Sequence, residues 1–152
     1  MSVPDLAPTP LSIDNALHGI GELLHSRIGP EIGDPFAAQM ARLACMLLKI
    51  CANSVDDAAE LRVAENAAIR KMLGDVADLL AEPLAGHLRT AALSCDPGLK
   101  ISVLDGENHR LRGLMVQAQT ALELRSGEAA MAMDQRIWRL LEEIETQRAP
   151  RE

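Results

Sequence analysis

Aromatic residues are almost missing from this chain of 152 residues: Phe36 and Trp138 stand alone, and tyrosine is absent. Sandwiches and barrels use aromatic and β-branched side chains to fill pleated surfaces. Their scarcity beside abundant Ala, Leu, Ile, Val and Met points to aliphatic ridges of the kind that packed helices bury. Cysteine is sparse too. Cys45, Cys51 and Cys95 are odd in number and share no C-x-x-C spacing, which disfavours a disulfide framework or a zinc site and predicts reduced thiols in a cytoplasmic protein. Positive charge is in deficit, with 15 Lys and Arg against 22 Asp and Glu, a net charge of -7 and a pI near 5.1. A phosphate-tracking surface rests on clustered cations, so nucleic acid is not an expected partner. Long apolar runs are missing as well: the longest uninterrupted one, 43–48, falls far short of the roughly 20 residues that span a bilayer, and no membrane association is expected. The chain contains no G-x-S-x-G, phosphate-binding loop, G-x-G-x-x-G or H-E-x-x-H, so no catalytic residue, cofactor or metal is expected.

What is present reads as one all-α domain, a length that buries a single core. Residues 1–11 hold Pro4, Pro8 and Pro10 without a basic stretch ahead of an apolar core; they read as a flexible N-terminal arm rather than a signal peptide. Residues 12–148 read as a helical bundle of about six helices. The first, 12–28, carries Ile13, Leu17, Ile20 and Leu24 at helical spacing and stops at Gly29-Pro30. Asp34-Pro35 opens the second, 34–52, as N-cap and first-turn proline. Ser54 is the expected cap of the third, reaching residue 81; Glu82-Pro83 opens a short fourth, and Asp96-Pro97 a fifth continuing to 125. The alternation of Leu99, Ile101 and Val103 makes a short strand the competitor there. The sixth, 128–147, carries Ile137, Leu140, Leu141 and Ile144 on one stripe.

Two stretches resemble each other. D-P-F-A-A-Q-M from Asp34 matches E-P-L-A-G-H-L from Glu82, and E-N-A-A-I-R-K-M-L from Glu65 matches E-N-H-R-L-R-G-L-M from Glu107; Ser54 precedes Glu65 by the interval at which Asp96 precedes Glu107. Three coincidences in the same order predict a duplicated helical hairpin, 34–81 and 82–125, about an approximate two-fold axis.

The repeated E-N-x-x-[I/L]-R is the most informative feature. On a helical wheel Glu65 falls in the stripe of Leu61, Ile69, Met72 and Val76, and Glu107 in that of Val103, Leu111, Leu114 and Ala118. A carboxylate aimed at an interior must be paired, hydrogen-bonded or protonated. Asn66 with Arg70, and Asn108 with Arg112, extend the polar flank. Two readings follow: a ligand-binding cavity built from Glu65, Asn66, Arg70, Glu107, Asn108 and Arg112, or a structural network that fixes helix register. Glu22 and His25 form a single E-x-x-H, whereas carboxylate-bridged di-iron bundles need two. His18, His87 and His109 are isolated. The methionines give soft packing. Trp138, at the edge of the last stripe beside Ile137 and Leu141, marks an expected interface.

Residues 17–80, with the long Ala-rich second helix and the acidic cap before E-N-A-A-I-R, resemble an uncharacterised bacterial helical family. Its members are encoded beside aminoglycoside-phosphotransferase-like kinases and acyl-CoA-metabolising enzymes. The resemblance implies an accessory role. The expected protein is a cytoplasmic homodimer, a non-catalytic accessory or regulatory subunit bound to an enzyme of a small-molecule catabolic pathway, such as a kinase-type one. The alternative is a small-molecule-binding protein or enzyme using Glu65 and Glu107.

Overall fold

The structure, a computed structural model, describes residues 12–149. The expected arm, 1–11, lies outside the described residues. Six α-helices and their connecting turns make up the described residues, with no strand among them: α1 (Ile13–Leu23), α2 (Pro35–Val55), α3 (Ala58–Ala77), α4 (Leu84–Ala92), α5 (Ile101–Glu123) and α6 (Glu128–Arg148). The fold is therefore all-α. The helices fall into two compact units that divide between Asp56 and Asp57.

In the first unit α1 and α2 pack as a pair. After Leu23 the chain continues as one π-helical turn, Leu24–Ile28, and a 3-10 turn, Gly29–Glu31. A Cβ at Gly29 would lie 2.9 Å from the Leu24 carbonyl oxygen, so the end of this π-helical turn favours glycine. Asp34 caps α2 as expected, its carboxylate accepting from the Ala37 amide at 2.7 Å. Ser54 does not cap the next helix. Its hydroxyl donates to the Ile50 carbonyl at 2.7 Å inside the last turn of α2, and the helix runs on to Val55 because a hydroxyl bonded back to the preceding turn leaves the helix intact. By length and composition α2 is apolar enough to cross a membrane, with mean hydropathy 1.3 over its most apolar window. No long uninterrupted run marks it, because Gln39, Arg42 and Lys49 break the apolar sequence.

In the second unit α3 packs on α4 and α5, and α6 on α5 and α3. Ile69, Leu73 and Val76 of α3, Leu88 of α4, Leu111, Ala118 and Leu122 of α5, and Ile137 and Ile144 of α6 fill the shared core. Each large aliphatic side chain so buried contributes about 1.5–3 kcal/mol. Asp96-Pro97 does not open α5, which begins at Ile101 with the Leu104 amide bonded to the Lys100 carbonyl at 3.0 Å. Leu99 is exposed in the preceding loop, and the alternation ends in helix.

Neither Ser54 nor Asp96 caps a helix, so their shared interval to the two glutamates has no counterpart in the helix starts. The match around Glu65 and Glu107 has a structural counterpart: both lie in long helices, α3 and α5, that pack against each other.

Candidate functional site

Glu65 and Glu107 are both buried, 5% and 9% exposed, and so are Asn66, Arg70 and Asn108. They meet where α3 packs on α5, and each arginine crosses to the other copy's glutamate. Arg70 Nη2 donates to Glu107 Oε1 at 2.8 Å, and Arg112 Nη2 to Glu65 Oε1 at 2.8 Å. Such an exchange is what a local two-fold relation between α3 and α5 produces. The two asparagines meet between these pairs. Asn108 Nδ2 donates to Glu65 Oε1 at 2.7 Å and to Asn66 Oδ1 at 2.9 Å.

The two ends are completed differently. Asn66 Nδ2 donates to Asp96 Oδ1 at 2.9 Å and to the Leu104 carbonyl at 3.3 Å, and Arg70 Nη2 reaches the same Asp96 oxygen at 2.7 Å. This is the role Asp96 plays instead of capping. Glu107 takes a second guanidinium from its own helix, Arg110, whose Nε lies 2.9 Å from Oε2 and whose Nη2 lies 2.8 Å from Oε1. Ala68 stands at the corresponding place in α3. Glu65 instead receives Arg148 from α6, Nε to Oε2 at 2.8 Å. Each glutamate therefore faces two guanidinium groups.

The electrostatics follow the geometry. Arg110 beside Glu107 holds that carboxyl down at about 2, with Arg70 adding to the effect and burial opposing both. For Glu65, burial pushes the carboxyl up, but the bonds from Asn108, Arg112 and Arg148 together outweigh it, and the net shift is downward. Burial pulls Arg70 down, while Asp96 and Glu107 more than offset it. A general acid or base works best with a pKa near the operating pH. These carboxylates are moved the other way, and their oxygens are occupied by protein donors. Among the described residues every buried side-chain nitrogen and oxygen has a hydrogen-bond partner.

Of the sequence-predicted site residues, all six of Glu65, Asn66, Arg70, Glu107, Asn108 and Arg112 come together. Ser94, Asp96, Arg110 and Arg148 belong to the same cluster and were missed. An open groove lined by His87, Thr90, Ala91, Ser94, Arg110 and Leu114 touches the edge of the network. A second open groove, in the first unit, is lined by His18, Glu22, His25, Cys45 and Lys49 among others; among the described residues no group of three or more His, Cys, Asp and Glu is placed to hold a metal.

The expected interface residues separate. Trp138 is 57% exposed, and Met131, one heptad earlier on α6, is exposed beside it; Leu141 is half-buried against the core. Ile137 is fully buried in the core of its own unit. It is a core residue and not a surface contact, because neighbours in a helix point about 100° apart and only one of Ile137 and Trp138 can face outward.

Comparison with protein-family models, with curated proteins and with solved structures finds no match.

Proposed function

We propose that the protein is a cytoplasmic, non-catalytic accessory or regulatory subunit that binds an enzyme of small-molecule catabolism. The observation that carries this reading is the saturation of the buried polar cluster. Glu65 and Glu107 are the residues best placed for chemistry, yet each is ionised and surrounded by donors from its own chain. A cluster closed in this way fixes the register of α3 on α5, and a substrate would have to compete with the chain's own donors for these oxygens.

What is left for function is surface. Trp138 and Met131 are exposed apolar side chains on α6, and tryptophan is among the residue types that most often anchor a protein interface. The resemblance to a family encoded beside kinase-type enzymes makes such an enzyme the first partner to test. The reading in which Glu65 and Glu107 hold a ligand has less support, because a ligand would have to displace several charge-assisted hydrogen bonds.

The test is titration of the purified protein against an aminoglycoside-phosphotransferase-like kinase from the same organism, with Trp138→Ser in parallel. Binding weakened at least about tenfold by the substitution is the expected result. No binding at tens of micromolar, or saturable binding of a metabolite that Glu65→Gln abolishes, overturns the reading.

A further inference from the structure

The α1–α2 pair has almost no core of its own. Ala52 is the one buried residue in α1 and α2, while Phe36 is 72% exposed and Met40, Leu43, Met46 and Leu47 are exposed with it. These side chains are not scattered. At 100° per residue, Ala38, Ala41, Cys45 and Leu48 share the side of α2 that meets α1, in keeping with the close approach of Gly21 to Leu48 and Cys45. Phe36, Met40, Leu43, Leu47 and Ile50 fall on the opposite side, at spacings of four, three, four and three.

That alternation is the narrow a/d seam by which one helix docks along another. The positions flanking it are Ala37, Gln39, Ala44, Met46, Cys51 and Asn53, none of them charged. Arg42 and Lys49, the two charges of α2, lie toward α1, where they line the grooves between the two helices. A partner helix with charged flanks would find nothing here to pair with. One with neutral flanks and the same spacing fits, and α2 of another molecule has both. The seam is also nearly palindromic about Leu43, so an antiparallel pair sets Phe36 against Ile50, Met40 against Leu47 and Leu43 against itself, with the two helix dipoles opposed.

We propose that α2 is a self-association surface through which two copies of this chain pair antiparallel, with Leu43 at the two-fold axis. The exposed area of the five seam residues is on the order of 450 Å² per copy, about 900 Å² in the pair, which is the size of a weak, transient interface. The dimer is therefore concentration-dependent rather than obligate.

Sedimentation equilibrium of the full chain over roughly micromolar to hundreds of micromolar is expected to show a monomer–dimer equilibrium. Leu43→Glu should raise the dissociation constant at least about tenfold, and Trp138→Ser should leave it unchanged. In a background with Cys45, Cys51 and Cys95 changed to serine, Leu43→Cys should cross-link to itself under mild oxidation. In the same background Phe36→Cys should cross-link to Ile50→Cys on another molecule and not to itself. The cross-links keep the proposal testable should Leu43→Glu fail to fold. A monomer throughout the range, a dimer lost with Trp138→Ser but not Leu43→Glu, or Leu43-dependent binding to phosphatidylcholine–phosphatidylglycerol vesicles by a monomeric chain each overturns it.

Discussion

Asn66 and Asn108, the second residues of the two E-N-x-x-[I/L]-R copies, touch each other: Asn108 Nδ2 donates to Asn66 Oδ1 at 2.9 Å. Each copy thus meets its counterpart at its own asparagine, and the crossed arginine–glutamate pairs lie to either side. An amide can both donate and accept. At this position Asn108 donates to a neutral oxygen and an anionic one, while Asn66 accepts from Asn108 and donates to Asp96. No other side chain of that size satisfies both roles.

Asn108→Asp tests this directly. The exchange removes the donor and places a second carboxylate against Glu65 Oε1, 2.7 Å away in the native protein. The variant should lose on the order of 2 kcal/mol at pH 7. Its deficit should shrink as pH falls from 7 towards about 4, because repulsion from Glu65 makes the introduced carboxyl take up a proton more readily than in the unfolded chain and the protonated group donates again. Urea melts at the two pH values measure it, and an equal deficit at both would show that repulsion is not the cause.

Glu65 separates a structural cluster from a ligand site. Both carboxylate oxygens accept, Oε1 from Asn108 and Arg112 and Oε2 from Arg148, so the amide nitrogen of a glutamine would have to face a donor. Glu65→Gln is therefore expected to cost about 1–3 kcal/mol, and Glu65→Leu at least as much. Thermal melts check this. A melting temperature unchanged or raised in Glu65→Gln would point instead to a carboxylate held for function at the expense of stability.

The interior direction of Glu65 and Glu107 was legible because helical periodicity fixes which side of a helix a residue shares with its apolar neighbours. The partners were less so. Arg110 and Arg148 reach the two glutamates from different helices, and nothing in a one-dimensional spacing marks Arg148 as the substitute for the cation that Ala68 cannot supply. Asp96 was misread for a related reason. Asp before Pro is a cap signal, but here two buried donors, Asn66 and Arg70, compete for the same carboxylate and win. In α2 the amphipathic pattern hides a second apolar side, because a helix apolar on opposite sides shows no single stripe.

Two glycines should respond in opposite directions to alanine. Gly127, between α5 and α6, has φ 136° and ψ 155°, a conformation open essentially to glycine alone. Gly127→Ala should therefore cost about 1–3 kcal/mol even though nothing lies within 4 Å of the added Cβ. Gly113 is exposed inside α5, also with nothing within 4 Å. Gly113→Ala should stabilise by roughly 0.5–1 kcal/mol, through the unfolded chain's lost freedom. Chemical denaturation of both variants is the check, and a shift of the same sign in the two would contradict the backbone assignment at Gly127.

Acid should unpick the cluster at Glu107. Arg110 and Arg70 hold this carboxyl at about 2, against an ordinary value of 4.5 in the unfolded chain. Between those values the unfolded chain binds the proton and the folded one does not, so stability falls with falling pH across that window. Above about pH 4.5 the contribution is fully present; it is lost as pH drops through 2. Glu107→Gln cannot titrate and lacks the contribution throughout, and Arg70, left with Asp96 as its remaining anion, should make the variant less stable at pH 7 by about 2 kcal/mol or more. Other carboxylates titrate over the same range, but they do so in both proteins, and the difference between wild type and variant isolates Glu107. Denaturation at pH 7, 4, 3 and 2.5 should show that difference widest at pH 7 and narrowing from about pH 4.5 downward. A difference independent of pH, or one that widens in acid, would mean that Glu107 is not held ionised by its arginines.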